Sequence, residues 1–226
     1  MGIAMHPHSL HNAIRSSLAI PNSSFSLCLT RNGGIYSLGG SSPDTHLSSP
    51  PTVMAFTEMR KHYGWYGISI ARMYVGNIEI KDGMWGFSKG KGAILDNGTT
   101  DTFLPASIAR EFRRAWKSVT GTEYTNRSME YTSEEFSKLP RIAFTTYDGM
   151  VWSLENYDYM DPRDHEIDKQ GTYVWEGKMK WSNRVYVDEP SGAVLGFNTM
   201  IHREVFFDAD AGVVGMARAN CDYKVL

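Results

Sequence analysis

The most constraining feature of this sequence is a succession of short apolar and aromatic runs, each bounded by glycine or another turn residue. Apolar residues alternate with Ser, Cys and Thr across 25–30, which is the period-two pattern of a half-buried strand. Gly33-Gly34 then predicts a turn into a second strand at 35–38. Further strands are predicted over Trp65–Val75, Ala93–Leu95, Arg141–Thr146, Val151–Leu154, Thr172–Trp175, Ala193–Leu195, Glu204–Phe207 and Val213–Ala217.

Helical patterns are few. Leu10–Leu18 has apolar residues four apart, and Pro105 suits the first turn of a clearer helix that Gly121 ends. Thr132 and Glu135 have the spacing of a capping box. The buried face of the clearer helix is predicted to comprise Ile108, Phe112, Ala115, Trp116 and Val119, with Arg110, Arg113, Arg114 and Lys117 toward solvent.

The remaining segments are predicted to be turns and loops. They are the turn Asp208–Gly212 and the loops Ser41–Pro51 and Asp161–Lys169. The fold class is therefore mainly β with one or two short helices, which is typical of barrels and sandwiches.

Charge and hydropathy exclude several classes of partner. The 23 basic and 25 acidic side chains give a net charge of −2, without a long basic run, so no nucleic-acid surface is expected. No apolar stretch approaches the roughly 18 residues of a membrane span. Met1–Met5 is followed at once by His-Pro-His, which is unlike a signal peptide.

Metal and nucleotide sites are not expected, and neither is any cofactor. Two cysteines are too few for a zinc ribbon, and His6, His8 and His11 lack the spacing of a helical zinc motif. Lys89-Gly-Lys-Gly92 lacks the glycine spacing and the Lys-Ser/Thr pair of a phosphate loop.

The most informative segment is Ala93-Ile-Leu-Asp-Asn-Gly-Thr-Thr100. Taken alone, it reads as a strand that ends in an Asp-Asn-Gly turn. It also reads as a strand that delivers the carboxylate of Asp96 to a tight loop, where main chain and hydroxyls orient it. An apolar strand followed by Asp, hydroxyl, Gly, Thr is the active-site signature of pepsin-like aspartic peptidases. This segment resembles that signature, except that Asn97 stands where the family has Thr or Ser.

The resemblance extends along nearly the whole chain in the family's order. Matching segments follow the Asp loop, and others precede it. Those downstream are Phe103-Leu-Pro105, Leu139-Pro-Arg-Ile-Ala-Phe144, Ala193-Val-Leu-Gly196, Val205-Phe-Phe-Asp208 and Val214-Gly-Met-Ala217; those upstream are Trp65–Gly76, Phe25–Leu29 and the glycine pairs 33–34 and 39–40. The resemblance implies a pepsin-like acid protease fold.

The same resemblance implies that one of the family's two lobes is missing. Residues 1–33 resemble the end of the first lobe and the strand that joins the lobes, and residues 34–226 resemble the second lobe. We expect the first catalytic Asp-Thr-Gly and the flap to precede residue 1. Asp44-Thr45 and Asp101-Thr102 are followed by His46 and Phe103, so neither replaces that motif. Met1 is then either an internal methionine or the start of a truncated gene product.

A mechanism and a set of roles follow from the family. Two facing carboxylates share a proton; the ionised one activates a water, and the protonated one polarises the scissile carbonyl of a peptide or protein substrate. Asp96 corresponds to one of this pair, and Gly98 permits close approach of its partner loop. Thr99 matches the hydroxyl that bonds the carboxylate, and Thr100 a substrate-facing position. Asn97 matches the hydroxyl that locks the lobes together, and it is either a tolerated variant or a mark of a degraded site.

Cys28 and Cys221 stand where a subset of the family carries a disulfide, including membrane-anchored secretases and plasmepsin-V-like enzymes. The resemblance therefore implies a bridge between them and an oxidising location, in the secretory pathway or outside the cell. Sequons at Asn22 and Asn126 suggest N-glycosylation. The sequon at Asn97 is discounted, because its loop should be buried between lobes.

Three functional hypotheses remain open at this stage. The first is an aspartic endopeptidase represented by its second lobe and inactive alone. The second is a non-catalytic relative that binds peptides in a peptidase-like cleft. The third, less favoured, is a homodimer in which two copies of Asp96 face each other.

Overall fold

The fold is described from a computed structural model, which covers residues 8–48, 52–62, 64–163, 173–175 and 177–222. Strands dominate it. Within these residues the strands are β1 Ser24–Thr30, β2 Gly33–Leu38, β3 Ala55–Glu58, β4 Arg60–His62, β5 Trp65–Ile68, β6 Ile70–Val75, β7 Ile78–Ile80, β8 Ala93–Asp96, β9 Thr102–Pro105, β10 Met129–Thr132, β11 Ile142–Thr146, β12 Val151–Leu154, β13 Met160–Arg163, β14 Lys178–Asn183, β15 Val185–Glu189, β16 Ala193–Gly196, β17 Arg203–Asp208 and β18 Val213–Arg218.

Four α-helices are found in the same residues, and they are short. They are α1 Leu10–Ser17, α2 Ala109–Thr120, α3 Ser133–Ser137 and α4 Asn156–Tyr159. None of these helices has the length and apolar character needed to cross a membrane.

The clearest helix forms as its sequence predicts. A short 3₁₀ turn over Ala106–Ile108 follows Pro105 and leads into α2. Gly121 ends α2 in the left-handed conformation, with its N–H on the carbonyl of Lys117 at 2.8 Å. The residues of the predicted apolar face are buried, except that Val119 is half-buried, and the predicted solvent-facing cations are exposed. Glu111 is also buried, which the sequence did not predict. Thr132 and Glu135 form the predicted capping box at α3.

Four sheets contain the strands. A six-stranded sheet has the order β15-β9-β16-β8-β5-β4, and an antiparallel five-stranded sheet has the order β2-β1-β17-β18-β3. Two smaller sheets have the orders β12-β11-β6-β7 and β10-β14-β13. One continuous apolar core joins them, with Trp152 and Trp181 fully buried. The predicted mainly β class is confirmed.

Two predicted segments are wrong in part. The single strand predicted over Trp65–Val75 is two strands that break at Ser69, because β5 pairs with β8 while β6 pairs with β11 in another sheet. The loop predicted over Asp161–Lys169 begins as strand, since β13 pairs with β14; residues 164–169 lie outside the described residues.

Other predictions fall at the edge of the described residues. Thr172 lies outside them, and in the rest of its predicted strand Tyr173 forms only an isolated bridge. Residues 1–7 of the expected first-lobe remnant also lie outside. The boundary expected at residue 33 coincides with the start of β2. β1, which precedes this boundary, pairs with β2 and with β17 in the five-stranded sheet.

Candidate active site

Asp96 lies at the carboxyl end of a buried strand. β8 runs between β16 and β5, and Ala93, Ile94 and Leu95 are all buried. A strand covered on both faces is a continuous apolar run, and this one stops where Asp96 becomes partly exposed. The apolar pattern of the sequence therefore carries the carboxylate to the surface at a defined point.

The loop after Asp96 holds both of its carboxylate oxygens. The N–H of Gly98 donates to Oδ1 at 3.0 Å, and the hydroxyl of Thr99 donates to Oδ2 at 2.7 Å. The N–H of Thr99 also donates to the main-chain carbonyl of Asp96 at 3.2 Å. Asn97 is exposed at the tip, and its side chain makes no hydrogen bond within the described residues. The turn formed by residues 96–99 therefore orients the carboxylate of Asp96.

Gly196 packs against this loop from the neighbouring strand. β16 runs parallel to β8 with Gly196 opposite Asp96. A Cβ at Gly196 would lie 2.0 Å from the carbonyl oxygen of Asp101 and 2.6 Å from that of Thr99. The N–H of Phe197 donates to that Thr99 carbonyl at 2.7 Å. Only glycine allows so close a contact, and the contact fixes the loop.

A polar layer beneath the loop was not predicted from the sequence. Thr102 donates its hydroxyl to Oδ1 of Asn198 at 2.6 Å, and Asn198 donates its amide to the carbonyl of Arg184 at 3.1 Å. The guanidinium of Arg184 lies 3.0 Å from Oδ1 of Asp101. Burial raises the pKa of Asp101 above its ordinary value, although Arg184 acts against this rise. These contacts join the start of β9 to Arg184, which lies between β14 and β15, and to Asn198, two residues beyond β16.

The family model described as Eukaryotic aspartyl protease matches residues 4–219, which is almost the whole chain. The chain belongs to the eukaryotic aspartyl protease family. Among solved structures, basic 7S globulin from soybean has a similar fold, with a TM-score of 0.70 and 17% sequence identity. The match covers 98% of this chain and 59% of that one, so the chain spans little more than half of its structural relative. No curated protein matches the sequence.

This aspartyl protease chain contains the expected disulfide. Cys28 of β1 and Cys221, three residues beyond β18, are bonded with their Cα atoms 5.0 Å apart, inside the usual range for a bridge. Both cysteines are buried. The bond joins residues 193 positions apart and ties the end of the aspartyl protease chain to the five-stranded sheet.

The two suggested glycosylation sites lie in different environments. Asn22 is exposed, with its amide 3.3 Å from the carbonyl of Gly39. Asn126 is half-buried, and its amide donates to the carbonyls of Asn183 at 3.0 Å and Val185 at 2.7 Å. A glycan on Asn126 would remove a donated hydrogen, so Asn22 is the better placed of the two.

Proposed function

We propose that this chain is the second lobe of an aspartic endopeptidase, in which Asp96 is one of the two carboxylates that activate a water. The observation that carries the proposal is the geometry of the Asp96 loop. One donor holds each carboxylate oxygen, yet the side chain stays partly exposed. A carboxylate held in this way keeps lone pairs available for a water and for a partner carboxyl group.

The proposed partner carboxylate comes from a first lobe. Within the described residues no hydrogen bond joins Asp96 to another carboxylate, and the nearby Asp101 is paired with Arg184. The soybean relative of similar fold is longer than this chain, which leaves room for a second unit in a complete protein. Residues 1–33 would then be the end of the first lobe and the strand between lobes, and residues 34–226 the second lobe. Thr100, exposed beside the loop, would face the peptide substrate.

The proposed setting is the secretory pathway. A buried structural disulfide persists where the compartment is oxidising, and the Cys28–Cys221 bond is of this kind. The exposed sequon at Asn22 agrees with it.

A second candidate, a non-catalytic protein that binds peptides, is favoured by one observation. Asn97 replaces the hydroxyl residue of the family at the tip of the loop, and it is exposed without a side-chain partner in the described part of the chain. If the first lobe requires a hydroxyl there, the two loops would not lock in register and the carboxylates would not share a proton.

The decisive experiment assays hydrolysis of an unstructured peptide at about pH 4, near the ordinary carboxyl pKa. The chain is tested alone and then together with a first lobe carrying its own Asp-Thr-Gly. We expect no activity alone and activity after addition, abolished by Asp96→Asn.

The other outcomes separate the alternatives. Activity of the chain alone that rises with the square of its concentration would contradict the proposal and favour a homodimer. Peptide binding without cleavage after addition of the first lobe, changed to cleavage by Asn97→Thr, would favour the non-catalytic relative.

A further inference from the structure

A basic cavity lies at the opposite end of β8 from Asp96. Its volume is about 330 Å³, and Ala93, the first residue of β8, is part of its wall. Asp96 is three residues further along, about 10 Å at the rise of a strand. The cavity is therefore separate from the carboxylate loop.

All the charged residues that line the cavity are cationic. They are Arg60, Lys61 and Lys91, and no Asp or Glu is among the described residues of the wall. Lys91 is paired with Glu189 at 2.9 Å, and Lys61 donates to the carbonyl of Ala209. Arg60 donates through Nε to the hydroxyl of Ser69 at 2.6 Å; its two Nη groups have no acceptor in the described part of the chain. Glu189 offsets the charge of Lys91, and the ammonium of Lys61 is held beside Asp210, so the guanidinium of Arg60 is the cation most available to a ligand.

The loop Gly90–Gly92, which we call the glycine loop, adds main-chain donors to the same wall. Gly90 is left-handed, with φ +56°, and a Cβ there would lie 2.0 Å from the hydroxyl of Ser191. Gly90 and Lys91 line the cavity, and their N–H groups donate to no acceptor within the described residues. Successive free N–H groups at a left-handed turn form a concavity that favours anions.

We propose that this cavity binds the oxyanion of a small phosphate or sulfate ester. Arg60 offers a planar pair of donors suited to such an anion, and Gly90 and Lys91 add main-chain N–H groups. Lys61 and Lys91 are further cations of the wall, although each already has a partner. The volume falls within the range of small-molecule sites. The loop leads into strand β8 and not into a helix, which sets it apart from nucleotide phosphate loops.

The test is calorimetric titration of the whole chain with glucose 6-phosphate, glucose 6-sulfate and glucose. We expect saturable binding of at least one ester and none of glucose. The double variant Arg60→Gln/Lys61→Gln should bind the ester about tenfold more weakly or worse, because charge-assisted hydrogen bonds are lost. The preference between the two esters then shows whether the cavity favours phosphate or sulfate.

A matched control removes the same charge elsewhere. Lys81→Gln/Arg113→Gln changes two exposed cations that are not part of the wall, and it should bind within about twofold of the parent. The side chains changed in the two double variants are all exposed, so the thermal unfolding midpoint of neither variant should differ from that of the parent. Absence of saturable binding, or equal weakening by both double variants, would overturn the proposal. Asp96→Asn should leave ester binding unchanged, so this result does not depend on peptidase activity.

Discussion

Two carboxylates in this protein are each held by hydrogen-bond donors, but only one of them faces solvent. Asp96 is partly exposed and accepts one bond on each oxygen, from Gly98 and from Thr99. Glu204 is fully buried at 0% exposure. Its oxygens accept bonds from Ser26 and the N–H of Ser42, both at 2.5 Å, and lie 2.6 Å from Nε2 of His46.

The difference separates a carboxylate suited to chemistry from one suited to structure. An ionised carboxylate offers about four lone-pair sites. Asp96 leaves half of them open and lies at a strand end. Glu204 uses three of them, and its partners come from β1 and from the segment after β2. The first is available to a water or a partner carboxyl group, whereas the second holds one part of the chain to another.

The largest expected effect is on catalysis at Asp96. In the protein assembled with a first lobe, Asp96→Asn should reduce peptide hydrolysis by about 10²–10⁴-fold, because one of the two proton-transferring groups is lost. Asp44→Asn is the matched control, since it makes the same change at an exposed Asp outside the Asp96 loop. Equal activity of the two variants in a steady-state assay would contradict the role given to Asp96.

The disulfide beside Glu204 should contribute the next largest effect. Replacing both Cys28 and Cys221 by Ser should lower the free energy of unfolding by about 2–5 kcal/mol, since the bond restricts the unfolded chain. Urea denaturation of the two proteins measures the difference. A loss below about 0.5 kcal/mol would show that hydrogen bonds and packing hold the segment beyond β18 without the disulfide.

Glu204 itself should matter for stability. Glu204→Gln should cost about 1–3 kcal/mol, because its new amide faces groups that now donate to the carboxylate. Glu58→Gln, on the exposed edge strand β3, is the control and should change stability by less than about 0.5 kcal/mol. If Asp96→Asn destabilised the fold more than Glu204→Gln, the contrast between the two carboxylates would fail.

The smallest effect concerns Asp101, whose raised pKa gives stability a particular pH dependence. The folded state holds this proton to a higher pH than the unfolded state. Its contribution is therefore full below the ordinary Asp pKa of about 3.9 and is lost as pH rises through the raised value. Asp101→Asn should be close to neutral at about pH 3 and become relatively more stable toward pH 7. Denaturation at both pH values checks this; destabilisation at pH 7 would mean that the Arg184 ion pair dominates.

Much of the fold and of the Asp96 loop was predictable because the signals are local. The apolar run of β8, the turn at Gly98 and the hydroxyl of Thr99 lie within a few residues of Asp96. The face of α2 and the capping box at Thr132 depend on spacings of three or four residues. The Cys28–Cys221 pairing followed from the family resemblance, because spacing alone does not determine which thiols meet.

The remaining features depend on residues that only the tertiary structure brings together. Ser26 and Glu204 are 178 residues apart, and Arg184 meets Asp101 only because β15 pairs with β9. The break at Ser69 arises because two different sheets need strands on either side of it. By itself, the sequence determined where the carboxylate loop, the main helix and most strands lie, since turns, caps and periodicity act over a few residues. Which side chains are buried together, and therefore which carboxylate is closed and which remains open, was decided by packing between distant strands.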